Sequence, residues 1–417
     1  MSGRQHFPQL GEQDNQAEVT QPETPALPTA SRWPARWSAR RQRDAWLLLV
    51  ALLLGTVTIS LLSGGIAQPS GQAKGAQSPT SPVRAAKTPP STPSAIVATG
   101  VFHEYPLPQS DSQVMRLALD HEGCSWFGEM GRNYLAVFDP RTETFEQVTP
   151  PHGRFGMMGV VVAPDDTIWF AEEYANYIGH YFPTTKQFQI YPLPRLTVPD
   201  PSNPGKMLSL PSAPNDLAFD RRGNLWFTEF NADSLGRLDL HTGRIQHYPL
   251  SAKKSVQVLD PYGVTVDQEG MVWFTEATNN HVGRLNPTTG KVSFFTPPGP
   301  NRSLMEVASD SHGTIWITSF SDGLLLRLDP QTGTFTPYYA PSTGGNAGGL
   351  YGLVVTPAGE VWVTVPAENV IARLDVAANH FVYYHIPTSG SLPIGIAMDA
   401  NHSIWFTEVD KIGMLRP

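Results

Sequence analysis

Cysteine is almost missing: the 417-residue chain carries one, Cys124. No internal disulfide can form, so the fold must be held by packing and hydrogen bonds. Charge is scarce as well, at 16% of residues, and the balance is acidic, with a formal −8. That balance offers no footprint for nucleic acid, which requires clustered Lys and Arg, so nucleic-acid partners are excluded. Helical periodicity is lacking, and helical repeats would not tolerate the 36 Gly and 39 Pro present. What remains suits many short strands joined by tight turns. Cys124 lies in such a strand beside Trp126 and is read as a small buried hydrophobe rather than a reactive thiol.

Long apolar runs are confined to one place. Residues 1–44 are polar and aperiodic, which predicts a disordered tail. Arg32, Arg36, Arg40, Arg41 and Arg43, with Trp33 and Trp37, then precede an uncharged run over 45–67. Its core, 46–62, approaches the roughly 20 apolar residues that a bilayer requires. Arginines before the run and none directly after it place the N-terminus in the cytoplasm and the remainder outside. The expectation is a single-pass membrane anchor at 45–67. A cleaved signal peptide is the rival, because Gly65-Ile66-Ala67 has peptidase-like spacing, but the preceding polar region is long for one. Residues 68–100, rich in Pro, Ser, Thr and Gly, cannot bury enough apolar surface to offset ordering and read as a spacer.

From residue 101 the chain repeats. Trp falls at 126, 169, 226, 273, 316, 362 and 405, at intervals of 43–47 with one of 57. Each Trp sits in an alternating strand such as Asn224-Leu225-Trp226-Phe227-Thr228-Glu229, preceded by a strand and a turn. A second turn carries Asn133, Asn176, Asp233, Asn280 or Asn369 seven residues after the Trp, or Gly323 in the fifth repeat. These residue types accept positive φ, which tight hairpins demand. A third and a fourth strand follow, the last ending like Tyr191-Pro192-Leu193-Pro194. Four antiparallel strands per repeat make one propeller blade, so the sequence predicts an all-β, seven-bladed β-propeller over 101–417. The last repeat stops at its third strand, and Phe102-His103-Glu104-Tyr105-Pro106-Leu107-Pro108 supplies the missing fourth from the N-terminal side. Pairing them closes the ring and removes an open edge.

This frame sorts the candidate site residues. Strands are lettered A to D from the axis outward, and the top is the face where A starts and B ends. Glu129, Glu172, Glu229, Glu276 and Glu408 close the B strands and are expected near the top rim, with Ser319 and Val365 in the other two blades. Eleven residues before each Trp, at the start of strand A, stand Met115, Met158, Asn215, Tyr262, Met305, Tyr351 and Ile394. That ring, apart from Ile394, is the expected ligand-binding surface: concave, mostly apolar and sparsely polar. Asn215, Asp216, Glu229, Glu276 and Glu306 form an oxygen-rich sector that could hold Mg or Ca, hard cations that prefer oxygen, with Arg116 across the ring. His152 and His281 are the top-facing histidines, candidate bases beside Glu408. The repeated Arg237, Arg284, Arg327 and Arg373 do not track the Glu and are assigned to packing. Two irregular D–A connections, 195–213 and 342–349, flank the ring from the top.

Trp-Phe-Thr-Glu at 226–229, Leu-Gly-Arg-Leu at 235–238 and the Tyr-Pro-Leu ending at 248–250 resemble the virginiamycin B lyase (streptogramin lyase) family across 101–417. The resemblance implies a seven-bladed propeller that uses magnesium and opens cyclic depsipeptides by elimination, a His removing the proton α to a carbonyl. It also implies Pro-His pairs at strand A of the last two blades and a Glu closing the final B strand. Glu408 matches that Glu. Tyr351 and Ile394 stand at the histidine positions, and Leu392 stands where a metal-linked Glu is implied. Pro214-Asn215-Asp216 is similar to gluconolactonase-like propellers, which bind a divalent metal at the top. The expectation is a membrane-anchored, extracytoplasmic binding or sensing module for a small-molecule or peptide ligand, without streptogramin lyase activity. A metal-dependent carbon–oxygen lyase or lactone hydrolase is the alternative, and a protein–protein docking platform is another.

Overall fold

The computed structural model describes residues 96–151, 156–199, 205–250, 260–299, 302–341 and 349–417. The tail, the apolar run 45–67 and most of the spacer lie outside the described residues. Among the described residues no helix is long and apolar enough to cross a membrane.

Seven sheets follow the repeat, with antiparallel strands A to D in chain order from the axis outward in six of them and an outer strand from the N-terminal side in the seventh. The fourth blade is typical: Pro261–Val266, Val272–Glu276, His281–Leu285 and Val292–Phe295 are strands A to D. The A strands of successive blades pack on one another in sequence, and the seventh packs on the first, so the ring is closed. Closure is completed by Val101–Pro106, which pairs antiparallel with Lys411–Arg416, Val101 opposite Arg416 and Pro106 opposite Lys411.

The B–C turns use the residues the spacing singled out. Asn176, Asp233, Asn280 and Asn369 adopt φ of 65°, 53°, 56° and 58°. The Asn side chains also hold the connection that follows. Asn176 Nδ2 donates to the Leu193 carbonyl at 2.9 Å, and its Oδ1 accepts from the Ser212 amide at 2.6 Å. Asn369 repeats this with the Ile386 carbonyl at 3.0 Å and the Ser391 amide at 2.9 Å. A turn residue thereby fixes a top-face loop.

The apolar core sits in the seams between blades. Trp405 packs with Phe127 and Phe138 of blade 1, Trp226 with Val264 and Phe274 of blade 4, and Trp362 with Ile404 and Phe406 of blade 7. Burying an indole removes roughly 150–250 Å² from water, worth about 4–6 kcal/mol per seam before ordering costs. Its polar edge is satisfied by an Asp six residues earlier: Asp120, Asp220, Asp267, Asp310 and Asp399 each accept the indole N–H, at 2.7–3.1 Å. Blade 6 has Thr356 there, and the buried Trp362 N–H has no partner among the described residues. On the other side of the sheet, Phe227 lies flat against Gly236, where a Cβ would collide with its ring. This explains the Gly of the Leu-Gly-Arg-Leu repeat. The repeated arginines stack over the Trp of their own blade, with guanidinium carbons 5.9, 5.4, 5.9 and 5.7 Å from the ring centroids for Arg237, Arg284, Arg327 and Arg373.

A hydroxyl also joins the seams. Two residues after the Trp, Thr228, Thr275, Thr318, Thr364 and Thr407 each accept the amide of a strand-A residue of the same blade. Each donates to a strand-A carbonyl of the next, namely Tyr262, Met305, Tyr351, Ile394 and Met115. Gly128 and Ala171 stand at this position in blades 1 and 2, so those two seams lack the link.

Two features differ from expectation. Ile96–Val97, inside the stretch read as spacer, adds a parallel fifth strand to the outer edge of blade 6, beside Val382 and Tyr383. The folded part therefore starts before residue 101. The long connection between blades 2 and 3 is not irregular throughout, because Arg195–Pro199 and Met207–Pro211 pair as an antiparallel hairpin.

Candidate functional site at the propeller axis

Strand A carries a β-bulge in blades 1 to 5, between Val114 and Leu117, Met157 and Val160, Pro214 and Leu217, Pro261 and Val264, and Leu304 and Val307. The extra residue turns two positions per blade toward the axis. One position is the predicted ring. The next reads Arg116, Gly159, Asp216, Gly263, Glu306, Gly352 and Gly395 around the seven blades. Three charged side chains thus stand among four glycines, at each of which a Cβ would collide with the strand-A backbone of the next blade.

The three charged side chains meet. The Arg116 guanidinium crosses the axis and donates from Nη2 to Glu306 at 2.7 Å and from Nη1 to Asn215 Oδ1 at 3.2 Å. It also lies 3.4 Å from Asp216. Burial pushes Glu306 up to about 7, while Arg116 and its hydrogen bond pull it down. Asn215, Asp216 and Glu306 are brought together as the sequence suggested, but the cation between them is Arg116. Glu229 and Glu276 are not part of that group. Among the described residues no set of three or more His, Cys, Asp or Glu side chains is gathered to hold a metal.

Tyr262 and Tyr351 meet above this layer, hydroxyl to hydroxyl, and the Arg116 guanidinium carbon lies 5.1 Å from the Tyr262 ring centroid. Burial pushes the Tyr262 phenol up to about 12 and raises Tyr351 well above its usual value. Both are therefore neutral at ordinary pH. Met115, Met158, Asn215, Tyr262, Met305, Tyr351 and Ile394 are all buried, none more than 6% exposed. The predicted ligand ring is thus closed at its centre, with a cavity of about 160 Å³ bounded by Arg116, Asp216, Glu306, Tyr351 and Ile394.

The Glu residues that end the B strands are not a solvent-facing rim: all five are at most 1% exposed. Their side chains turn into the blades. Glu129 accepts from Ser112 Oγ at 2.7 Å and from Gln147; Glu229 accepts from Ser234 at 2.5 Å and contacts His247 Nδ1 at 2.7 Å. Glu276 meets His281 Nδ1 at 2.9 Å. Burial pushes Glu276 up to about 8 and pushes His281 down, so near neutral pH both are uncharged and the contact is a hydrogen bond rather than an ion pair. His281 is therefore tied to the outer part of blade 4 and does not reach the axis. Glu408 is pushed up to about 8 by burial, with Lys411 3.9 Å away. Glu172 has no partner on either oxygen among the described residues, and burial pushes it to about 8. His152 and the glycine-rich stretch 342–348 lie outside the described residues.

The mouth of the axis holds residues that the sequence reading passed over. Four residues after the Trp, where each B strand gives way to the B–C turn, stand Glu173, Phe230 and Phe320, all partly buried. Phe230 packs edge-on against Tyr262, and Phe320 against Tyr351, at centroid distances of 6.3 and 6.1 Å. Their signal was available as one more fixed offset from the Trp, immediately after the Glu.

A closed ring of seven four-stranded blades, with charged and aromatic side chains converging at one end of its axis, defines a β-propeller with an axial site. The virginiamycin B lyase family model matches residues 93–255 and 206–416, most of the chain, and the protein belongs to that family. A streptogramin B lyase structure is 26% identical over 76% of this chain and 97% of that one, with a TM-score of 0.66. An inactive virginiamycin B lyase variant from Staphylococcus aureus, solved with quinupristin, is 24% identical over 76% and 99%, also with a TM-score of 0.66. The extracellular domain of a putative one-component system from B. thetaiotaomicron is 16% identical over 76% of this chain and 40% of that one, at 0.59. These last two likenesses are of fold alone. No curated protein matches.

Proposed function

We propose that this member of the virginiamycin B lyase family is an extracytoplasmic binding or sensing module. It is tethered by 45–67, takes a small-molecule or peptide ligand on its top face, and does not open streptogramins. One observation carries the reading: the axis is filled by neutral tyrosines and an arginine–carboxylate cluster rather than by imidazole. The elimination that the resemblance implies uses a histidine as its base. Tyr351 and Ile394, at the positions where the resemblance implies histidine, supply none, since Tyr351 is held in its phenol form. None of the fourteen residues at the two axial positions is histidine. Divalent metal is also disfavoured, because the Arg116 guanidinium already lies against the oxygens of Asp216 and Glu306.

The fold likeness to an extracellular domain of a putative one-component system is in keeping with a sensing role. The test is direct. The purified protein is incubated with a type B streptogramin and magnesium, and ring opening is followed by mass spectrometry; no opening is expected. Turnover abolished by His152→Ala would overturn the reading and favour a lyase with a relocated base.

A further inference from the structure

The top of the axis has a chemical preference that can be read from its walls. Phe230, Tyr262, Tyr351 and Phe320 form a continuous series of rings, with centroids 6.3, 6.3 and 6.1 Å apart and interplanar angles of 79°, 87° and 88°. Successive near-perpendicular rings make a corner in which faces and edges alternate, and ring faces carry negative quadrupole density. Phe230 and Phe320 keep part of their surface in solvent, while the tyrosines close the floor.

At the position of blade 2 equivalent to Phe230 and Phe320, four residues after its Trp, stands Glu173. Its amide is anchored to the Gly156 carbonyl at 3.0 Å, and the neighbouring Tyr174 ring covers Gly156, where a Cβ would collide with it. The Glu173 carboxylate has no hydrogen bond or ion pair among the described residues, yet it acts electrostatically on both Arg116 and Tyr262. It is enclosed enough for burial to raise its pKa to about 7, with Arg116 opposing that shift, and it still touches solvent. Arg116 does not answer it, because that guanidinium is committed to Asp216, Glu306 and Asn215. Above pH 7 one cation thus stands against three carboxylates, and the excess charge is negative.

We propose that the mouth of the axis binds an organic cation, with an alkylammonium group set against Glu173 and its carbon surface on Phe230, Phe320 and the tyrosine pair. The inference rests on the binding-module reading and names the chemical class of ligand for that module. An ammonium between ring faces and a carboxylate gains from both, and more so where water is partly excluded. Anions are repelled by the same excess charge, and a neutral ligand would leave Glu173 without a partner.

The probe is choline, compared with 3,3-dimethylbutanol, its uncharged carbon isostere, by isothermal titration against the full chain in dodecyl maltoside. Choline should bind at least about tenfold tighter than the isostere at pH 8, and Phe230→Ala and Phe320→Ala should each weaken it by several-fold. Glu173→Gln, checked for an unchanged circular dichroism spectrum, should cost about tenfold. In the unsubstituted protein choline affinity should fall as the pH drops from 8 to 5.5, because protonation removes the carboxylate. This arm requires no variant. Equal binding of the isostere, or unchanged choline binding in Glu173→Gln, overturns the proposal, as does a flat pH profile. A neutral ligand that binds and is lost in Phe230→Ala would overturn the cation assignment and leave the binding-module reading standing. If neither choline nor any member of a broad ligand screen binds, both fall.

Discussion

Glu172 offers a thermodynamic probe of this fold. It is fully buried, both oxygens lack partners among the described residues, and burial alone raises its pKa from 4.5 to about 8. Its proton is therefore held by the folded state and released by the unfolded one at every pH between those values. Stability depends on the difference in bound protons, so over this window it falls as pH rises, by about 1.4 kcal/mol per unit. The contribution is complete below pH 4.5, is lost progressively toward about 8, and changes no further above that. The full window corresponds to about 4–5 kcal/mol, and water penetration or local relaxation reduces it to roughly 2–4 kcal/mol. Glu172→Gln keeps the shape and cannot ionise. Any fixed cost of burying the amide is the same at all pH, so the pH trend of the difference isolates the carboxyl group. Urea denaturation of both proteins at pH 5 and pH 8.5 measures it. The variant should gain about 2–4 kcal/mol relative to the parent between the two conditions. A difference that does not change with pH, or that grows in the opposite sense, would refute the argument.

Other perturbations follow from the same geometry. Arg116→Ala leaves Glu306 without its cation and Asp216 with only the Val264 amide, 2.9 Å away, and should destabilise by about 3–5 kcal/mol in urea; a loss below about 1 kcal/mol would mean the cluster is held by other groups. Thr275→Val removes the acceptor of the Gly263 amide and the donor to the Met305 carbonyl, leaving two buried backbone groups unpaired, and should cost about 1–3 kcal/mol. Deleting 101–108 removes the fourth strand of blade 7, so the melting temperature should fall steeply; a melt at the parent temperature would contradict closure by that strand. Protease added outside intact cells should cut within 68–100 and release the propeller, and recovery of the propeller in the cytosolic fraction would refute the proposed topology.

The blades were legible because their signals are local and repeated seven times. Trp spacing, turn residues and the Tyr-Pro-Leu-Pro ending give blade number, strand order and closure, since each depends on residues close in sequence. The axis was less legible, because its contacts join residues from different repeats. Arg116 and Glu306 are 190 positions apart. Their types and the ring they occupy could be read, but not that one side chain would span the ring to meet the others. The B-strand Glu residues were placed on the correct face and at the wrong depth, because offset from the Trp fixes the position along a strand but not the direction in which a long side chain turns. The Asp six before the Trp and the Thr two after it recur five times each and were readable. Their meaning was hidden because one caps an indole across a turn and the other bridges two blades.

The pairing of Val101–Pro106 with Lys411–Arg416 has a consequence in time. Val101–Pro106 must wait for Lys411–Arg416, so blade 7 stays incomplete until both have been made. Until then Phe102 lacks its partner Phe406, while Tyr105 can already meet Phe138 of blade 1. Six blades can form progressively as the chain emerges, each closing over the Trp of its predecessor, but the ring becomes one cooperative body only in a final step. A truncation that removes even the last strand would therefore leave a chain with two mismatched ends instead of a slightly smaller propeller.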